Sequence, residues 1–166
     1  MINTGTCVPT PGLHRQYNVF ACCVGVWNPQ VLVDPMVRTK RGEQALVAHE
    51  MFHAQDRHAL KFMVMIVCCS VLTFLAGIIV CAFTYGIPVP PWVAVAAPSM
   101  ALLWWCQVPF YLRYCEVEAD KHALFCTTPG DFVAMLYLHP HPSGRWGRWL
   151  YGPNIEARIK RVLPRS

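Results

Sequence analysis

Two stretches of this chain carry no charged side chain at all, residues 62–85 and 92–112. As helices, both reach the roughly 20 residues needed to cross the hydrocarbon core of a bilayer. Residues 86–91, Gly-Ile-Pro-Val-Pro-Pro, make a short uncharged turn between them. Tyr85 and Trp92 flank that turn, as amphipathic aromatics often do at a membrane interface. Such a pair is either buried in a soluble core or given to lipid. A chain of 166 residues has too little other material to cover both segments, so a transmembrane hairpin is expected. The second segment is the less regular, because Pro98, Gln107 and Pro109 interrupt it.

Composition points the same way. Hydrophobic residues make up 55% of the chain and charged residues 14%, against about a quarter charged in a soluble domain. The formal net charge is +5. A basic balance often signals nucleic acid, but no nucleic-acid-binding motif is present. The cations instead flank the apolar pair: Arg38, Lys40, Arg41, Arg57 and Lys61 before it, Arg113, Lys121 and others after it, none in 86–91. The positive-inside rule then puts both ends, and any chemistry they carry, on the cytoplasmic side. Residues 1–17 are polar, include Pro9, Pro11 and Gly12, and have no apolar core of signal-peptide type; internal segments are expected to insert the chain. The nine cysteines are odd in number, form no C-x-x-C, and include four inside the apolar runs (Cys68, Cys69, Cys81 and Cys106). Free thiols are expected rather than a disulfide framework.

The remaining segments read more conventionally. Within 17–40, two short valine-rich runs (19–26 and 30–33) lie either side of Asn28-Pro29, which predicts two strands joined by a turn. Residues 42–60 predict a helix. Glu43 sits in its first turn, where an acid suits the dipole, and Ala45, Leu46, Ala48, His49, Phe52 and His53 recur at helical spacing. Residues 113–125 should continue the second apolar helix into water. Pro129 suits a new helix start, 139–144 reads as a loop, and Asn154 suits the cap of a last helix over 155–163.

His49-Glu50-Met51-Phe52-His53 is an H-E-x-x-H. On a helix, residues four apart share a face, so both imidazoles reach one zinc ion. Glu50 sits one step around the helix, near the metal's open position, where a carboxylate can take a proton from water. A catalytic site needs a third ligand. Glu116-Val117-Glu118-Ala119-Asp120 follows closely on the second apolar segment. Glu116 and Asp120 share a helical face, so Glu116 can ligate while Asp120 accepts a hydrogen bond from a ligand imidazole. Glu118 points elsewhere and reads as a solvated charge. His53 lies shortly before the hairpin and Glu116 shortly after it, so the hairpin returns both to one membrane face. His58, His122, His139 and His141 read, from their surroundings alone, as surface or packing residues. The 30–33 strand reads as core, or as an edge beside the helix with which an extended peptide could pair.

Together these residues resemble the integral-membrane gluzincin peptidases, that is the HtpX-like and CAAX-prenyl-protease group with the related antirepressor and β-lactam-sensor peptidases. The resemblance rests on 25–33 before the helix, on 43–53 with Arg57-His58 beyond, and on Glu116-Val117-Glu118-Ala119-Asp120 as E-x-x-A-D. His139-Pro140 or His141-Pro142, followed by Glu156-Ala157-Arg158-Ile159, completes it. It implies one Zn2+ per chain, held by His49, His53 and Glu116, with Glu50 catalytic and Asp120 supporting. His139, His141 and Arg158 are its candidates for stabilising an oxyanion. The chain is shorter than typical members, lacks their extra N-terminal spans, and looks expanded between the His-Pro repeat and Arg158.

The fold expected is therefore α+β and mostly helical. It is a single membrane metallopeptidase domain over 1–166: a short N-terminal β-hairpin, an H-E-x-x-H helix, a two-helix transmembrane hairpin and a C-terminal helical segment, 113–166. The function expected is a zinc-dependent membrane endopeptidase with Glu50 as general base. The alternative is a non-catalytic zinc-binding membrane regulator or sensor. The partners expected are a peptide or membrane-protein substrate and the lipid bilayer, with no nucleic acid, and the location expected is a bacterial inner membrane.

Overall fold

A computed structural model describes residues 6–17, 20–138 and 155–162. Three short strands come first, β1 (Thr6–Pro9), β2 (Ala21–Val24) and β3 (Gln30–Val33), with the short helix α1 (Leu13–Tyr17) between β1 and β2. A 3-10 turn (Pro35–Thr39) leads to α2 (Glu43–Gln55), then α3 (His58–Thr84), α4 (Pro91–Cys126), α5 (Pro129–Leu138) and α6 (Ile155–Val162). The chain is mostly helical with one small sheet.

The two expected strands pair antiparallel, with Ala21 opposite Val33 and Val24 opposite Gln30. The sheet also has a third strand that the sequence reading did not anticipate. β1 pairs parallel with β3, in the order β1-β3-β2. β3 is therefore central, with Val31 and Val33 buried on alternate positions, and the reading of residues 30–33 as an edge strand is corrected. The edge beside the helix belongs to β2.

Asp34 ends the sheet and starts the next turn. Its side chain accepts a hydrogen bond from the backbone N–H of Met36 at 2.9 Å, and Pro35 fills the first helical position. Gly42 then opens α2 at φ 92. Its missing Cβ lets α5 approach, because a side chain there would run into the backbone N of Met135. α2 ends at Gln55 rather than continuing through residue 60. The helix breaks at Arg57, which adopts left-handed φ 52, and α3 starts at His58.

α3 and α4 pack side by side as the expected hairpin. Pro98 and Pro109 leave α4 unbroken over 36 residues, as proline in an apolar helix can when neighbouring groups take up the freed carbonyls. The hydroxyl of Ser99 donates to the carbonyl of Val95, and the Trp105 indole N–H reaches Thr73 Oγ1 across the pair at 2.9 Å. Both helices are long and apolar enough to cross a membrane. Only 11% of the most apolar window of α3, and 17% of that of α4, is buried. Phe74, Ile78, Val95, Leu102 and Phe110 lie exposed along them, so little of the hairpin's apolar surface is covered within the described residues. The core sits beyond its end. Val31, Val33, Val37, Leu46, Ala54, Ala123, Phe132, Met135 and Leu136 pack together where the sheet, α2, α4 and α5 meet.

Candidate metal centre

α2 is fixed to the core through Ala45, Leu46 and Ala54, and α4 through Ala123. The two helices pack against each other, and residues one turn apart on each face the same gap. His49 and His53 enter it from α2, Glu116 and Asp120 from α4. The Nε2 atoms of His49 and His53 are 3.2 Å apart. Glu116 lies 3.6 Å from both, through Oε2 to His49 and Oε1 to His53. Donor atoms about 2.0–2.1 Å from a tetrahedral zinc stand roughly 3.3–3.4 Å from one another, so these separations suit one small cation. The chemistry of the set fits too. Two imidazoles and a carboxylate make a three-ligand catalytic zinc site with one position left open. His49 is fully buried, and lone pairs turned on one another in such a place repel unless a proton or a metal lies between them. His49, His53 and Glu116 are the group able to hold a metal among the described residues.

The protonation of the two rings reflects that crowding. Burial opposes charge on His49, but the contacts with Asp120 and Glu116 outweigh it and push the ring up to about 10. Burial and the charge on His49 push His53 down to about 4. Without a metal, these contacts favour a proton on His49 over one on His53.

Other side chains support the candidate ligands His49 and Glu116. Asp120 Oδ1 lies 3.2 Å from Nδ1 of His49, the contact expected of a carboxylate that orients a ligand imidazole. Arg158, from α6, grips Asp120 with two hydrogen bonds, Nε to Oδ2 at 2.8 Å and Nη2 to Oδ1 at 2.6 Å, and Nη2 also lies 3.5 Å from Glu116. The sequence reading offered Arg158 for an oxyanion; the contacts described here are to the carboxylates of α4. Glu50 is buried, and its Oε2 accepts the backbone N–H of Cys23 at 2.8 Å, which ties the helix to the edge strand. Burial and the Glu50 charge push the Cys23 thiol up to about 11, which favours the neutral thiol.

His58 is the residue that sequence reasoning missed. Its Nδ1 lies 2.6 Å from Nδ1 of His53, and its Nε2 lies 2.7 Å from Asp56 Oδ2. Five residues from His53, it would face away on a continuous helix; the break at Arg57 brings it back. No glycine or proline marks that break. The other assignments are simpler. Glu118 pairs with Lys121 at 2.8 Å. His122 packs against Phe52 and lies 3.5 Å from Cys126 Sγ. All nine cysteines are free. His139, His141 and Asn154 lie outside the described residues.

No curated protein and no solved structure matches the chain. The family model of Peptidase family M48 matches residues 14–165. That span runs from the short helix before β2 to beyond α6 and takes in every residue of the site, so the chain belongs to Peptidase family M48, a family of metallopeptidases.

Proposed function

We propose that the chain is a zinc endopeptidase seated in a membrane by α3 and α4, folding as one domain with its active site on the cytoplasmic side. One observation carries the reading: the donor atoms of His49, His53 and Glu116 converge at 3.2–3.6 Å, with Glu50 buried on the same helix. When bound, zinc would supply a Lewis acid to polarise the scissile carbonyl and make water more acidic. His49, His53 and Glu116 would hold it. Glu50 takes a proton from the attacking water and returns it to the amide nitrogen as the carbon–nitrogen bond breaks. The Cys23 N–H on Oε2 fixes the plane of that carboxylate. Asp120 and Arg158 hold the His49 ring and the Glu116 carboxylate in position. A peptide or membrane-protein substrate would lie extended along the β2 edge, β2 being paired on one side alone among the described residues.

Membrane seating is supported by the length and apolarity of α3 and α4, and the cytoplasmic side by the cations at both ends of the hairpin. Glu50→Gln tests the mechanism. The substitution keeps size and hydrogen-bonding shape but cannot take up a proton. Zinc content should survive, and turnover of any peptide or membrane protein that the wild type cleaves should fall about 10²–10⁴-fold. Equal rates in the two proteins would remove Glu50 from the chemistry. Full zinc binding with no cleavage by the wild type of any substrate offered, including its own chain, would favour a non-catalytic regulator.

A further inference from the structure

We infer that His58 is a positioning residue for His53, relaying an Asp56 carboxylate to the second imidazole of the site. The inference rests on the metal reading of His49, His53 and Glu116. His58 is buried at the first position of α3. Its Nδ1 meets His53 Nδ1 at 2.6 Å and its Nε2 meets Asp56 Oδ2 at 2.7 Å. Lys61 Nζ donates to the same Asp56 oxygen at 2.6 Å. Four groups thus form one chain: His53, His58, Asp56, Lys61.

With His58 neutral, only one direction of donation satisfies that chain. A carboxylate accepts and an ammonium donates, so Lys61 and His58 both give protons to Asp56. His58 therefore carries its hydrogen on Nε2, which leaves Nδ1 with a lone pair. That lone pair must be met by N–H on Nδ1 of His53. Neutral His53 then has its own lone pair on Nε2, the atom turned toward His49 and Glu116. The acidic end of the chain and the metal end demand the same tautomer of His53. The two imidazoles are thus supported unequally. His49 faces its carboxylate directly, at 3.2 Å, whereas His53 reaches one through an intervening ring. The relay also makes the first residue of α3 part of the site's support, so the apolar hairpin is joined to the metal through its first turn as well as through α4.

The test separates hydrogen bonding from packing. His58→Phe keeps a ring in the edge-on contacts with Phe52 and Tyr111 but offers no acceptor to His53. His58→Gln restores an acceptor and a donor in a smaller side chain. Zinc affinity of the detergent-purified full chain is read by competition with a chromophoric chelator, alongside the visible absorption of the Co2+-loaded protein. The expected order is wild type, then Gln, then Phe, with Phe weaker than wild type by about 10–100-fold and its Co2+ bands shifted. Phe and Gln variants that both bind as tightly as wild type, with unchanged Co2+ bands, would overturn the inference and leave the metal reading standing. A wild-type chain that binds no zinc would overturn both. If the Phe variant does not fold, the comparison of Gln with wild type decides: the inference needs a measurable loss of affinity there, because an amide cannot pass on the full basicity of the carboxylate.

Discussion

Burial alone would strip the proton from His49. The contacts with Asp120 and Glu116 reverse that and hold the ring up at about 10, so in protein stripped with a chelator it is charged at neutral pH, while His53, pushed down to about 4, is not. A metal takes the lone pair that the proton occupies. Zinc uptake at pH 7 should therefore release about one proton per chain, and affinity should rise as the pH is raised. Calorimetry in two buffers of different ionisation enthalpy reads the proton count directly; uptake without release would mean that His49 is already neutral. Arg158 makes a second prediction at this scale. Its guanidinium is buried with Asp120, and removing one partner of a buried pair leaves the other charge uncompensated. Arg158→Ala should cost about 3–5 kcal/mol in denaturant unfolding of the stripped protein. Arg158→Lys should recover only part, because a lysine cannot make the two parallel bonds. A loss below about 0.5 kcal/mol for Ala would place the pair among surface-like contacts.

The helices that carry the site could be read from sequence because their spacing is local. His49 with His53, and Glu116 with Asp120, are each one turn apart, and that interval is the same wherever the helix lies. The long uncharged runs announced α3 and α4 for the same reason. What escaped depends on partners far away in sequence. β1 is four residues of a polar, proline-bearing segment, and it becomes a strand only by pairing parallel with β3, across α1 and β2. That pairing moved β3 to the centre and made β2 the edge. The end of α2 was misplaced because Arg57 adopts a left-handed conformation that no glycine advertised, and His58 was missed with it. Gly42 shows the opposite case, a glycine with a clear task. Gly42→Ala meets both a positive φ and the backbone of Met135, whereas Gly86→Ala, at φ 76, meets nothing nearby. The second should cost about 1 kcal/mol and the first clearly more. Thermal unfolding of the two variants checks this, and equal shifts would mean that α5 moves aside freely.

At the scale of the whole molecule, one continuous helix joins the apolar hairpin to the candidate metal centre. α4 runs from Pro91 to Cys126, a length of about 54 Å at 1.5 Å per residue, well beyond a hydrocarbon core of about 30 Å. Its exposed apolar part packs on α3, and its far end delivers Glu116 and Asp120 to α2. If α3 and α4 both span, a tag placed in residues 86–91 should report the side opposite to tags at the two termini. Three tags on one side would make the pair a re-entrant hairpin. The proposed chemistry depends on the three donor atoms gathered between α2 and α4. Metal analysis of the detergent-purified chain tests that most directly. Wild-type protein should hold about one zinc per chain, and His53→Ala almost none. Zinc absent from the wild type, or fully retained after His53→Ala, would contradict the account.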